Sequence, residues 1–418
     1  VNVLGLVAIN ALGALSGFVT VRVLGKEAVG LLAVAFGIGE FGRAISACTH
    51  IPSIVEYHKA DADEREVFGS SLAVKLFAST LFVALMVALA PLIETLFHVP
   101  PAYLVLASLV IVFVTGYEVG AARMEATNRM VRSNLILSSG AATSLALVLL
   151  LAVTHTLTVT TSILATLAAN LVMTVAAWSF SRPKGALRVR RDLAVGMTRY
   201  GLRIVWASLL SQGLLWTVTL MVSHLRGLGD TGVYNIVFQL TLVMVTASSA
   251  MGVALVPALS KLRGAGQDTS RGYQRGTVIA LAMSLTIALA WIVLGRLILG
   301  LYGPAFVVGY PALVVLTLFG ISAALTVPAA TMLTIHGRAG LLSTLSLTQL
   351  VINIPLSYVL ISRFGLVGAA ASATSVYALG TILSWVAVRR TTGAWPLSRA
   401  AVDEVRAFAA AQWRRMAT

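Results

Sequence analysis

Runs of about twenty residues with almost no charge recur along nearly the whole chain, and they dictate the solvent in which it folds. A helix rises about 1.5 Å per residue, so roughly twenty apolar residues cross the hydrocarbon of a bilayer. Such a helix also satisfies its own backbone hydrogen bonds, which lipid cannot do. Twelve runs are predicted as spans, over 3–23, 28–49, 69–93, 102–122, 133–154, 159–180, 200–224, 232–258, 276–299, 309–333, 341–361 and 366–388. With 58% of its 418 residues hydrophobic, 11% charged and only short connections, the chain reads as an all-α polytopic membrane protein without a large soluble domain.

The net charge of +15 would suggest nucleic acid in a soluble protein, but here the basic residues sort by side of the membrane. Placing the first residue inside puts most Lys and Arg on cytoplasmic segments, as the positive-inside rule requires. No nucleic-acid partner is implied, and both termini are expected in the cytoplasm. The densest basic cluster, Arg182, Lys184, Arg188, Arg190, Arg191 and Arg199, joins spans six and seven, and Pro183 and Gly185 interrupt helix at its start. It divides the chain into a bundle over 1–181, a linker over 182–199, a second bundle over 200–390 and a tail over 391–418. Anionic membrane lipid is the expected neighbour of this loop. The connector from Tyr57 to Glu66 reads as solvated.

Local self-similarity supports two halves. Leu24-Gly25-Lys26-Glu27-Ala28-Val29-Gly30 follows span one, and Arg226-Gly227-Leu228-Gly229-Asp230-Thr231-Gly232 follows span seven. Likewise Ala126-Thr127-Asn128-Arg129 ends span four and Ile335-His336-Gly337-Arg338 ends span ten. Six spans per half is an even number, so both halves start on one side. The expected architecture is two parallel six-helix bundles around a central cavity. Gly13, Gly17, Gly116 and Gly120 read as sites of close helix approach.

Charges inside spans are costly and usually face a bundle interior or an aqueous path. Arg43, Lys75 and Arg203 are such cations, and Glu40 and Glu118 the carboxylates, all placed toward the cytoplasmic side. Two readings stay open: helix-packing ion pairs with snorkelling side chains, or a cation-lined cavity. The excess of cation over carboxylate favours an anionic guest, because an unpaired buried charge is expensive. Phosphate or diphosphate fits, since guanidinium forks match phosphate oxygens and lysine adds a compact charge. Gln212, Asn235, Gln239, Gln349 and Asn353 are candidates for sugar hydroxyls or, equally, for interhelical hydrogen bonds. Glu40 and Glu118 are candidates for orienting the cations or titrating with a coupled ion.

Three stretches carry a family resemblance: Val21-Arg22-Val23-Leu24-Gly25-Lys26-Glu27-Ala28-Val29-Gly30, Leu301-Tyr302-Gly303-Pro304-Ala305-Phe306 and Gly365-Leu366-Val367-Gly368-Ala369-Ala370. With the span count, they resemble the bacterial lipid-linked oligosaccharide flippases, which move O-antigen or exopolysaccharide repeat units and belong to the multidrug/oligosaccharidyl-lipid/polysaccharide exporter superfamily. The resemblance implies alternating access by two helical bundles in the inner membrane. It also implies a polyprenyl-diphosphate-linked glycan as cargo, flipped from the cytoplasmic to the outer leaflet for lipopolysaccharide or exopolysaccharide synthesis. Arg43, Lys75 and Arg203 would then receive the diphosphate, and a polysaccharide polymerase is a partner left open. Twelve spans depart from the fourteen typical of lipid II flippases, and the usual basic residues before span one are missing.

The alternative within the superfamily is a cation-coupled multidrug exporter, with Glu40 or Glu118 as the ion site. A membrane glycan polymerase or ligase is disfavoured, because the outer loops are short and hold only scattered polar residues. The chain therefore reads as a transporter and not an enzyme, with no cofactor implied. The single Cys48 excludes an internal disulfide or cysteine-built metal site. In the tail, Val402, Val405, Ala409, Trp413 and Met416 share a helical face with Arg406, Arg414 and Arg415 off it, which fits two readings, an interfacial helix or a poorly ordered terminal segment.

Overall fold

The computed structural model describes residues 3–59, 63–181 and 185–407, and every regular element among them is helical. In chain order these are α1 (Val3–Ser46), α2 (His50–Tyr57), α3 (Glu64–Phe97), α4 (Pro101–Ala126), α5 (Met130–Val153), α6 (Val159–Ser181), α7 (Arg191–Arg226), α8 (Leu228–Gly264), α9 (Ser270–Tyr302), α10 (Tyr310–Ile335) and α11 (Ala339–Thr392). Short 3-10 turns cover Ala47–Thr49 and Pro304–Gly309. Ten segments among the described residues are long and apolar enough to cross a membrane. Two of them bend at a non-helical glycine, Gly25 in α1 and Gly365 in α11. Straight, the 54 residues of α11 would reach ~80 Å, far beyond the ~30 Å of hydrocarbon. Each bent helix therefore makes two crossings, and the total is the expected twelve.

Several helices outrun their predicted spans. The largest excess is in α7, which begins at Arg191, nine residues before the predicted start. The apolar pattern marks where lipid begins, whereas backbone hydrogen bonding continues past that level. That overhang bears directly on the cations discussed below.

The repeated glycine motif has a structural cause. Gly25 has φ 79 and ψ 175, and Gly227 has φ 84 and ψ 179. Both lie in a region that side chains disfavour and that lets a helix turn back into lipid without a loop. Five residues after each corner sits a second glycine. A Cβ on Gly30 would overlap the Leu228 carbonyl, and a Cβ on Gly232 would overlap the Lys26 carbonyl. The two corners thus pack reciprocally, backbone on backbone.

Contacts divide the chain into two compact units, Val1–Gly232 and Val233–Thr418. The boundary falls after the second corner, so α7 is grouped with α1 and α3, which it packs against; the sequence places the boundary of the halves in the 182–199 linker. In the first unit the apolar core is built from Val34, Ile38, Phe82, Met86, Leu104 and Ile111. Gly116 faces Thr174, and Gly120 lies against Ala177 and Ser181, which lets α4 and α6 approach closely. Gly13 and Gly17 instead face open space, so no packing against described neighbours explains them.

The described parts of the connector and the linker are fastened to α3, where the sequence suggests only solvated chain. Asp63 caps α3 by accepting from the Arg65 amide at 2.8 Å, and the Arg65 guanidinium holds its carboxyl below the usual carboxylate range. Residues 186–190 run as an extended strap along the start of α3. The Arg188 amide donates to the Arg65 carbonyl at 3.2 Å, and the Arg190 amide donates to Ser70 Oγ at 2.9 Å. Gly69 lets the strap lie this close, since a Cβ there would overlap the Arg188 carbonyl. Arg182, Pro183 and Lys184 lie outside the described residues.

Neutral groups tie the second unit together. Gln349 Nε2 donates to the Val376 carbonyl at 3.1 Å, joining the two arms of α11. Ser357 bridges Asn353 at 2.9 Å and Ser372 at 3.2 Å, and Thr326 meets Thr381 at 2.9 Å. After α11, Gly393 turns the chain (φ 75) and Ala394 enters a core with Leu259, Tyr273 and Met332. The tail is helical over 399–407, with Ala401 buried and Val402 and Val405 half-buried. Ala409, Trp413, Arg414, Arg415 and Met416 lie outside the described residues.

Candidate functional site

Charge in the first unit gathers at one end, the end that bears the linker, called here the basic end. On α3, Ser71, Lys75 and Ser79 are spaced four residues apart and so share a face. Each has its own partner: Ser71 meets Thr49 at 2.8 Å, Lys75 Nζ meets Glu118 Oε2 at 2.5 Å, and Ser79 meets Thr115 at 2.6 Å. Lys75 is fully buried and Glu118 is 14% exposed. The Glu118 carboxylate offers the buried amine the polar partner that replaces its lost hydration.

Two further pairs extend the cluster along α4. Glu125 lies two turns beyond Glu118 and meets His50 Nε2 at 3.1 Å. Arg123 bonds both Glu64 and the Ser181 carbonyl, joining the start of α3 to the end of α6. Tyr117 lies within electrostatic reach of Glu125, Glu118 and Arg43. Along the strap, Arg190 meets Glu66 at 3.0 Å and Asp192 at 2.9 Å. It holds the Asp192 carboxyl below its ordinary range by donating a charged hydrogen bond. Neither His50 nor Glu125 stood out in the sequence. The available signal was the seven-residue spacing of Glu118 and Glu125, which places both on one face of α4.

The three cations proposed to share a guest stand in different settings. Lys75 is enclosed with Glu118. Arg43 is 56% exposed and pairs with Glu40 at 3.3 Å, on the side of its helix turned away from Gly42, which faces Phe82 and Ile111. Arg203 is exposed and has no ion pair among the described residues. Gly37 lies under the Trp216 ring and Gly201 lies against the Cys48 carbonyl, so the second arm of α1 and α7 run antiparallel in close contact. Arg203, two residues past Gly201, is about 200° around the helix and points away from that seam. The cations therefore do not converge on one direction.

The polar residues proposed for glycan also separate. Gln349 and Asn353 are buried and already hydrogen-bonded within α11. Gln212 is half-buried and Gln239 exposed, and Asn235 is buried with its Oδ1 unpartnered. Among the described residues there is no group of three His, Cys, Asp or Glu side chains that could hold a metal ion.

The model of the family described as "Polysaccharide biosynthesis protein" matches residues 19–309. Among solved structures, the chain is similar to the lipid II flippase MurJ in an inward closed conformation. The TM-score is 0.77 at 14% identity, covering 93% of this chain and 88% of that one. It is equally similar to an inward-facing multidrug resistance MATE family transporter of the MOP superfamily, with a TM-score of 0.76 at 16% identity over 91% and 94% of the two chains. A MOP superfamily transporter from Pyrococcus furiosus follows at 0.63 and 16%, over 93% of each chain. No curated protein matches the sequence. These likenesses show the fold that MOP transporters share, and the ten long apolar segments make the chain a multi-pass membrane protein. By its sequence, the chain belongs to the polysaccharide biosynthesis protein family.

Proposed function

We propose, from that membership, that the protein is a flippase moving a polyprenyl-diphosphate-linked oligosaccharide from the cytoplasmic to the outer leaflet of the inner membrane. One conjunction carries the reading: a polysaccharide-biosynthesis sequence on the fold of transporters. The basic end lies in the cytoplasm, following the positive-inside rule, and both termini lie there with it. Only the sugar and diphosphate need a polar path, because the prenyl chain remains in lipid throughout. Arg203 and Arg43 offer exposed guanidinia to the diphosphate, with Glu40 orienting Arg43. Lys75 is committed to Glu118, which makes it a positioning residue and moves it out of direct contact with cargo. Gln212, Gln239 and the open Oδ1 of Asn235 are left for glycan hydroxyls.

The test is the amount of prenyl-linked glycan in cells lacking the protein. Accumulation is expected, with clearance restored by the wild-type chain and by Gln349→Met, and poorly by Arg203→Ala or Arg43→Ala. Unchanged lipid intermediates together with altered resistance to cationic dyes would replace the flippase reading with that of a multidrug exporter.

A further inference from the structure

The part of α7 that outruns its predicted span carries a pattern that no other feature of the chain explains. Its 36 residues extend ~54 Å against ~30 Å of hydrocarbon, so its first dozen residues pass through a headgroup layer. On that stretch and the turn after it, Arg191, Val195, Arg199, Leu202, Arg203 and Trp206 fall within a 120° sector at 100° per residue, and all six are exposed. The apolar members are well exposed, Leu202 at 60% and Trp206 at 57%. The opposite sector is occupied by Met197, fully buried, and by Gly201 against Cys48.

Three observations separate this face from an ordinary basic overhang. First, Arg191, Arg199 and Arg203 have no ion pair or hydrogen-bonding partner among the described residues, and the nearby Asp192 is taken by Arg190. Second, the sector closes in mid-helix: farther along, Leu210 is 4% exposed and Gly213 is buried in the same direction. Third, Arg191, Val195, Arg199 and Leu202 wall a groove of ≈ 380 Å³. Cations and apolar side chains therefore alternate along one strip that is accessible from one end.

We infer that this face of α7 is the docking surface for a lipid-borne diphosphate, in which Arg199 and Arg203 each take one phosphate. Residues four apart on a helix hold their Cβ atoms about 6 Å apart, close enough for two guanidinium forks to grip adjacent phosphates. Leu202 and Trp206 lie beside the first isoprene units, with the indole at the level where tryptophan favours a membrane interface. Arg191, two turns or ~12 Å nearer the end, guides the headgroup in. A phospholipid offers a single phosphate and engages one guanidinium, so the paired arginines select the diphosphate. The inference rests on the flippase reading and names where its cargo is first held.

The test uses the purified full chain in nanodiscs of zwitterionic lipid, with a polyprenyl diphosphate or phosphatidylglycerol added and bound lipid counted by native mass spectrometry. Wild type should retain the polyprenyl diphosphate, and so should a control double variant, Arg338→Gln with Arg390→Gln, which removes two exposed cations of the second unit. Arg199→Gln with Arg203→Gln should lower retention by at least ~10-fold, as loss of about one charged hydrogen bond implies. Leu202→Glu leaves both arginines in place but sets a competing carboxylate beside Arg199, three residues along the same face, and should do the same. Equal retention by these variants and wild type overturns the inference and leaves the flippase reading intact. Displacement by equimolar phosphatidylglycerol also overturns it, reducing the face to a contact with bulk lipid. Failure of the wild-type chain to retain polyprenyl diphosphate sinks both.

Discussion

The two units solve the problem of polarity inside a membrane by different chemistry. The first keeps charge at its heart: Lys75 is the one charged side chain among the described residues that are buried, and Glu118 answers it. The second holds its helices with amides and hydroxyls, Gln349 on the Val376 carbonyl and the Asn353–Ser357–Ser372 chain. Neutral hydrogen bonds are the less costly way to join helices in lipid. An ion pair at that depth recovers its desolvation only when geometry is good, and is then intolerant of losing either partner. The difference teaches that charge in the first unit is fixed by internal pairing, so exposed arginines and not buried ones are left to meet an anion.

Removing one partner tests that contrast most severely. Lys75→Ala should strand Glu118 and cost ~3–5 kcal/mol of stability, read as a fall in melting temperature in detergent. The double variant Lys75→Met with Glu118→Leu should recover most of the loss, because neither charge then remains unpaired. A double variant no more stable than the single would show that the pair contributes something other than mutual compensation.

In the second unit the corresponding change should be milder. Gln349→Met preserves length and apolar contact while deleting the donor to Val376, for a cost of ~1–3 kcal/mol. Gly380 lies against the Gln349 amide and a Cβ there would overlap it, so the site is tightly built and the loss should be measurable. A penalty equal to that of Lys75→Ala would erase the distinction between the units.

What the sequence made legible was depth, and what it withheld was direction. Apolar runs located all twelve crossings, and the charges within them placed Arg43, Lys75 and Arg203 along the length of their helices. Which way each side chain points depends on the neighbouring helix, which no single sequence supplies. Gly201 against Cys48 settles the facing of α7 and turns Arg203 away from Lys75. His50 and Glu125 were missed for the same reason, being 75 residues apart with neither inside a predicted span. The glycine corners show both sides of this. Their repetition was visible, because a backbone conformation that only glycine favours leaves glycine in the chain at Gly25 and Gly227. That Gly30 and Gly232 then meet each other's corner was not, because a small residue marks a close approach without naming what approaches. Overhangs such as the start of α7 escaped because apolarity marks the lipid boundary and not the end of hydrogen bonding.

The smallest expected effect concerns charge at the edge of the second unit, where it is a fastening for the tail. Arg275 bonds Glu404, Gln274 donates to the Trp395 carbonyl at 3.1 Å and accepts from Ser398 at 2.8 Å, and Arg389 lies 4.2 Å over the Trp395 ring. The Arg275 guanidinium, helped by Arg271, holds the Glu404 carboxyl below the ordinary 4.5 of a glutamate. A lowered folded-state value means the contact stabilises fully above pH 4.5 and is lost as pH falls through the folded value. Both groups are solvent-accessible, so salt should weaken the contact as well. Relative to the intrinsic amide rate, which itself slows in acid, protection over 394–407 should therefore fall on acidification while the α10 core stays protected, and Glu404→Gln should make the tail's protection indifferent to pH in that range. Buried Ala394 and the Gln274 bonds should keep the tail seated in either case. Complete release of the tail by Glu404→Gln at neutral pH would give this peripheral pair the weight argued here for Lys75 and Glu118, and the contrast between buried and surface charge would fail.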